Sequence, residues 1–576
     1  MNLFGFGIDT LNAETFVAAM RVTFVTLALI GAAMAGRDAE GKRAGRIVFF
    51  VAISGFTLTW LATMFPLPNV YGTNGSQDRE NHLGWANVVA LGFSPLRTFQ
   101  VNHLHFEPVW PLLTAFATGF NVDRVQLVFQ CAPLVLGLLL AFSIRFAWIR
   151  GHDGSNAART EAAFAALGAL LLIGVPGDSD GIFRNPWALT FLLKPNHVLG
   201  LVFIPLAALA IARAKDWKTR LFAGFVLQLV GWAFVIHMVL FVAGLLAFVV
   251  VSWLTKREDR RRDLLDAGTA VGANLLIVSP YLFILVTAYP FLHGSSEYGL
   301  SFFSERPFEG PLRLGLLALL SGWGAWNTYH RGGRIGRLFA SQWLTAQIIW
   351  QAFPLLGLLG QAREQDEAFY WCRFWTGLFA GIGVFHAVST VGSRFRWHSG
   401  GAASARPALG SSTALSLLFL IPSLLPTWWN PSTMDQYFVA ARKPLPAWID
   451  EPNRFIRANT PIEAVFTGDR NYARWIAAYG QRRVLLANSM NLPNDYPERL
   501  ALEDGLLHDG PAAAIKKGVE RYGVRYLLAT STPLERDRSV TVAQMRSYQS
   551  LEVVYEKTFP NTTVTIFKVR VGDRTQ

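Results

Sequence analysis

The stretch "IVFFVAISGFTLTWLATMFPLP" (47–68) is followed at once by "GSQDRENHLGW" (75–85). The first is apolar from end to end and, as a helix, long enough to cross a hydrocarbon core of roughly 30 Å. The second presents Asp78, Glu80 and His82 within one short polar segment. A chain that leaves a bilayer and immediately offers two acids and an imidazole sets the question for the whole sequence.

Composition answers the first part. Of 576 residues, 52% are hydrophobic and only 16% charged, against roughly 25% charged in soluble domains; mean hydropathy is +0.30. Apolar runs able to span a bilayer recur near 15–35, 46–66, 124–148, 161–176, 187–212, 221–233, 235–254, 264–288, 312–329, 338–360, 370–392 and 410–428. The pattern predicts a mainly α-helical, multi-pass membrane protein with about 12 transmembrane helices. "EPVWPLLTAFATGF" (107–120) is too short to cross and reads as an interfacial or re-entrant helix. The run 221–254 is too long for one span and short for two, which a tight helical hairpin resolves.

The net charge of +13 does not indicate nucleic acid, because its distribution follows the loops. Arg and Lys gather in "GRDAEGKRAGR" (36–46), "RFAWIRGHDGSNAAR" (145–159), "RAKDWKTR" (213–220), "KREDRRR" (256–262), "RGGRIGR" (331–337) and "SRFRWHSGGAASAR" (393–406). The positive-inside rule makes these loops cytoplasmic. The sparsely basic loops at 67–107, 176–186, 289–311 and 361–369 then lie outside, as does the C-terminal region. Cys131 and Cys372 form no metal or redox pattern.

From about residue 429 no run could span a membrane, so the chain divides into a membrane domain over 1–428, with its outer loop 67–107, and a C-terminal extracytoplasmic α/β domain over 429–576. "EAVFTG" (463–468), "RRVLLAN" (482–488), "VRYLLATS" (524–531), "LEVVYEKT" (551–558) and "TVTIFKV" (563–569) are strand-like. "NYARWIAAYG" and "PAAAIKKGVERYG" are helix-like, the latter closing on a glycine suited to a helix end. Alternating strands and helices predict a partly parallel sheet.

The candidate chemistry lies on the outer side. Loop 67–107 carries Asp78, Glu80, His82, His103, His105 and Glu107. A carboxylate above the membrane can take a proton from an attacking hydroxyl; the same residues also read as a solvated surface. "HLHFE" offers His103, His105 and Glu107 to a divalent metal, at a spacing that matches no strong zinc signature. "GVPGDSDGIFRNPW" supplies Asp178 and Asp180, and the following apolar segment holds Lys194, Asn196 and His197, with Pro195 expected to break the helix. Ionisable groups inside a span are functional candidates. Lys194 can neutralise a phosphate or snorkel to the interface, while His237 in "FVIHMVL" is expected to hydrogen-bond a carbonyl. Arg373, directly before a late span, suits a lipid phosphate through its planar fork or pairs with local acids.

Together these features resemble the GT-C superfamily of membrane glycosyltransferases. The matching residues are Asp78 and His82 in "DRENH", "KPNH" (194–197) opening a span, the histidine of "VIHMVL", "CRFW" before a late span, and the order of "PAWIDEPNRFIRANTPIEAVFTG", "WIAAYGQRRVLLAN" and "VERYGVRYLLAT" in the tail. The resemblance implies a bacterial cytoplasmic membrane protein that transfers a sugar, with inversion, from a polyprenyl-phosphate donor to a glycan, lipid or protein acceptor. It implies an acid in the first long outer loop as general base, Asp78 or Glu80, and Lys194 and Arg373 on the lipid-linked phosphate. His82, His103, His105, Glu107, Asp178, Asp180, His197 and His237 complete the candidate substrate contacts. Two other classes stay open at this level: a transporter or flippase for a lipid-linked or anionic solute, and a noncatalytic assembly protein on the same architecture.

Overall fold

The computed structural model describes residues 23, 27–28, 42–63, 77–101, 108–152, 154–172, 195–255, 257–288, 316–358, 365–398, 445–487, 495–531 and 540–570. They fall into two compact units. One comprises residues 1–67, 131–279 and 300–439; the other comprises 68–130, 280–299 and 440–576.

The first unit is helical. Its described helices include Lys42–Thr63, Val125–Gly151 from residue 131, Asn156–Leu167, Pro195–Arg213, Trp217–Ala233, Val235–Leu254, Arg260–Ala288 as far as residue 279, Leu316–Arg331, Gly333–Leu358 and Gln365–His398. Each coincides with a span expected from the apolar pattern; the spans near 15–35 and 410–428 fall mainly or wholly outside the described residues. By length and apolarity, three stretches among the described residues suffice to cross a membrane: Leu134–Gly151, Pro195–Arg213 and Val235–Leu254. The long run 221–254 is two helices joined at one extended residue, Phe234 (φ −160°, ψ 109°), whose N–H donates to the Val230 carbonyl at 2.8 Å. Pro195 is the first described residue of helix Pro195–Arg213.

Packing in this unit depends on bare backbone. A Cβ on Gly381 would lie 1.9 Å from the Phe164 carbonyl oxygen, and one on Gly383 would lie 1.9 Å from that of Leu320. Helix Gln365–His398 therefore touches two neighbours main chain to main chain, the small-residue contact that lets membrane helices approach closely. Trp148, Trp371, Trp375 and Phe164 are fully buried in the same unit.

A knot of charge fastens five helices of the same unit. Arg334 reaches Asp263 and Asp266, each at 2.7 Å. Arg220 meets Asp266 at 2.6 Å, and the Ser252 hydroxyl donates to Asp263 at 2.7 Å. Both aspartates are inaccessible to solvent. The spare donors of Arg334 and Arg262 go to the carbonyls of Ala212 and Ala214, each at 3.0 Å, so the buried charges are paired and their neighbours' backbone oxygens are satisfied.

The second unit holds a five-stranded sheet of order β2-β1-β3-β5-β4, with β1 Val465–Gly468, β2 Arg483–Val484, β3 Val524–Thr530, β4 Leu551–Phe559 and β5 Thr562–Val569. The first three pair in parallel and the last two add antiparallel, which matches the mixed sheet predicted. Helix Ala512–Tyr522 ends on Gly523 at φ +69°, the left-handed closure that favours glycine. Residues 98–101 extend the sheet past β2: Val101 N–H donates to the Val484 carbonyl and Val484 N–H to the Phe99 carbonyl, both at 2.9 Å.

Candidate functional site

In the second unit, Gln77–Ala90 is a helix in which every residue from Glu80 to Ala90 is buried. Its sequence is polar enough that burial needs specific partners. Asn87 supplies them, its amide nitrogen donating to the carbonyls of Ala477 and Ala478, both at 2.9 Å. Those carbonyls belong to the π-helical turn Ile476–Gly480; residues at a helix end leave carbonyls without an internal donor. Gly84 makes the approach, since a Cβ there would lie 3.0 Å from the Ala477 methyl and 3.1 Å from the Phe99 ring. His82 meets Trp85 edge-on at 4.7 Å between centroids, and Trp85 stacks on Phe99.

Glu80, Gly84 and Asn87 share one face of this helix, the one applied to 477–478. Position 78 is displaced from position 80 by about 200°, at roughly 100° per residue, and falls on the side of His82 and Trp85. Glu80 is 5% exposed. Beside Asn87, the residues Asp123, Gln126, Arg457, Tyr479 and Gln481 line a hollow of about 210 Å³. The Gln481 amide donates to Asp123 at 3.3 Å, and the Arg457 guanidinium donates to the Tyr479 carbonyl. A carboxylate, a guanidinium and amides around one hollow can bind a ligand rich in hydroxyls.

Elsewhere in this unit the electrostatics are structural. Burial pushes the Glu503 carboxyl up despite Arg470 at 2.9 Å and the hydroxyl of Thr467. Burial likewise raises Tyr522, to about 12, with Asp495 reinforcing it. At Asp495 burial acts to raise the pKa, but the Arg499 hydrogen bond and charge at 2.7 Å outweigh it and the carboxyl titrates below its ordinary value.

In the first unit the structure brings together two of the expected residues. The His197 ring stacks on Phe234 with centroids 3.6 Å apart, and His237 stands 5.7 Å from His197 and 5.9 Å from Trp371. Gly200 leaves room for this, because a Cβ there would approach His237 Nδ1 to 2.9 Å. His237 is fully buried and neither ring nitrogen has a hydrogen-bond partner among the described residues. The carbonyl expected for it is replaced by aromatic packing: Phe234, set outward by the break between helices, covers the ring edge-on at 4.7 Å. Arg373 is 7% exposed on helix Gln365–His398.

His103, His105, Glu107, Asp178, Asp180 and Lys194 lie outside the described residues, and Asp78 is described as a helical position only. Among the described residues no group of three potential ligands could hold a metal. Sequence reading did not single out Asn87, which sits in the unremarkable "WANVV". The half-buried contacts of Glu161 with Trp148 Nε1 at 3.2 Å and with His386 at 3.6 Å carry no motif either.

No family model matches the chain, and no curated protein matches it. Solved structures do. ArnT from Cupriavidus metallidurans bound to undecaprenyl phosphate is similar with a TM-score of 0.51 at 13% identity, over 90% of this chain and 97% of that one. The same protein in the apo state gives 0.50 at 13% identity, over 92% and 98%. The chain has the GT-C fold. The archaeal oligosaccharyltransferase of Archaeoglobus fulgidus aligns with a TM-score of 0.49 at 13% identity, over 84% of this chain and 69% of that one. A GT-C fold agrees with the helical unit and the small sheet.

Proposed function

We propose that this GT-C chain is a membrane glycosyltransferase that moves a sugar from a polyprenyl-phosphate donor to a glycan, lipid or protein acceptor on the outer face of the bacterial cytoplasmic membrane. The observation that carries the reading is the likeness, over nearly the full length of both chains, to ArnT solved with undecaprenyl phosphate. In the proposed reaction a carboxylate takes the proton of an acceptor hydroxyl as that oxygen attacks the anomeric carbon. The bond from that carbon to the phosphate breaks on the opposite face, and the lipid phosphate leaves with its charge held by Lys194 and Arg373.

Asp78 is the proposed base. Glu80 shares the face that Gly84 and Asn87 apply to 477–478, next to the hollow lined by Asn87, and helix anchorage is the role proposed for it. That hollow is the proposed place for acceptor hydroxyls. The transporter reading needs His197 and His237 on a water-filled path, whereas aromatic rings cover both, which favours packing as their role.

The test is sugar transfer by purified protein in liposomes, with a polyprenyl-phosphate sugar and candidate acceptors. Asp78→Asn is expected to lower kcat by about 10²–10⁴, the usual share of a general base, with donor binding retained; Glu80→Gln should cost less than about tenfold. Unchanged turnover in Asp78→Asn removes it as base. Acceptor-independent flux across sealed vesicles, without transfer, would replace the transferase with the transporter.

A further inference from the structure

Arg150, Arg159 and Arg213 line a hollow of about 530 Å³ together with Ile149 and Gly154. All lie in the first unit, and the three arginines come from two basic loops, 145–159 and 213–220. None of the three forms an ion pair within the described residues. The Arg213 guanidinium donates to the Arg150 carbonyl, and Arg150 lies over the Phe146 ring at 5.8 Å, contacts that position the side chains without neutralising them.

Further positive charge stands behind these three. Arg145 lies 4.6 Å over the Phe49 ring, its Nη1 is buried with no hydrogen-bond partner among the described residues, and the nearby charges of Arg159 and Arg46 repel it. Helix Asn156–Leu167 opens beside the hollow, with Ser155 as its cap, so its positive end adds to the same field. Such a concentration of like charge raises the local concentration of anions. Guanidinium forks match phosphate oxygens in pairs, and basic pockets between membrane helices on the cytoplasmic side suit lipid head groups.

We propose that Arg150, Arg159 and Arg213 form a binding site for a phosphate group, carried by an anionic membrane lipid or free in solution. None of these residues enters the proposed transfer reaction, so the site stands or falls independently of it.

Native mass spectrometry of the full chain in detergent, titrated with phosphatidylglycerol, phosphatidylcholine or inorganic phosphate, tests the proposal. Phosphatidylglycerol should bind more tightly than phosphatidylcholine, and Arg159→Gln should weaken it about fivefold, as removal of one arginine near a phosphate does. Arg150→Gln, at an exposed position, should do the same and provides the readout if Arg159→Gln does not fold. If inorganic phosphate binds alone and displaces the lipid, the phosphate site stands with a soluble occupant. Equal binding of phosphatidylglycerol by both variants and the wild type, or equal binding of phosphatidylcholine by the wild type, overturns it.

Discussion

Two groups of arginines in the helical unit, both drawn from basic loops, meet opposite fates. Around Asp263 and Asp266, the guanidinium groups of Arg220 and Arg334 are paired and partly buried, and that of Arg334 also has a carbonyl acceptor. Around the 530 Å³ hollow, Arg150, Arg159 and Arg213 face one another without a carboxylate among the described residues. The first group is complete within the protein and holds helices together. The second is complete only with something added. Positive charge in a loop thus serves topology, architecture or binding according to whether acids lie within reach.

The comparison can be broken most forcefully at Arg334. Arg334→Met leaves two fully buried aspartates short of a partner and should cost about 3–5 kcal/mol, read as a large fall in the melting temperature of the protein in detergent. Loss of less than about 1 kcal/mol would mean that the knot is ornamental. A similar pairing in the other unit offers a smaller effect with a pH signature. Because Asp495 is held below its ordinary value by Arg499, the pair's stabilisation is full above the unfolded carboxylate range and is lost as pH falls through the lower folded value. Arg499→Met should remove that acid-range loss and, with burial now unopposed, make the unit less stable toward neutral pH; calorimetry across the acid range checks both. The smallest effect belongs to the hollow, where Arg159→Gln should change stability by no more than about 0.5 kcal/mol. Its lipid binding should also weaken with salt, since exposed charges are screened over about 8 Å at physiological ionic strength. A destabilisation at Arg159 as large as that at Arg334 would erase the distinction.

The sequence carried the architecture well because hydrophobic periodicity is local. The helix positions, the break within 221–254, all five strands and the glycine closing Ala512–Tyr522 follow from patterns a few residues long. The site was less legible. Asn87 is informative only beside the π-turn at 476–480, and Arg150 reaches Arg213 only after the intervening helices fold back. Residues 98–101, "TFQV", alternate polar and apolar as a strand does but over too few residues to stand out; they join the sheet because β2 presents an open edge. The alternation of Asp78 and Glu80 was visible, but assigning faces to them required knowing what Gly84 and Asn87 touch.

That added strand makes assembly of the second unit depend on the order of synthesis. Asn87 and its partner Ala477 are separated by 390 residues, so the helix carrying Asp78 emerges from the ribosome long before the surface that buries it. Until Val484 follows, residues 98–101 have no edge to join, and loop closure of this length is slow. A chain truncated before residue 476 would therefore leave this helix with its contact to Phe99 but without the carbonyls that hold Asn87.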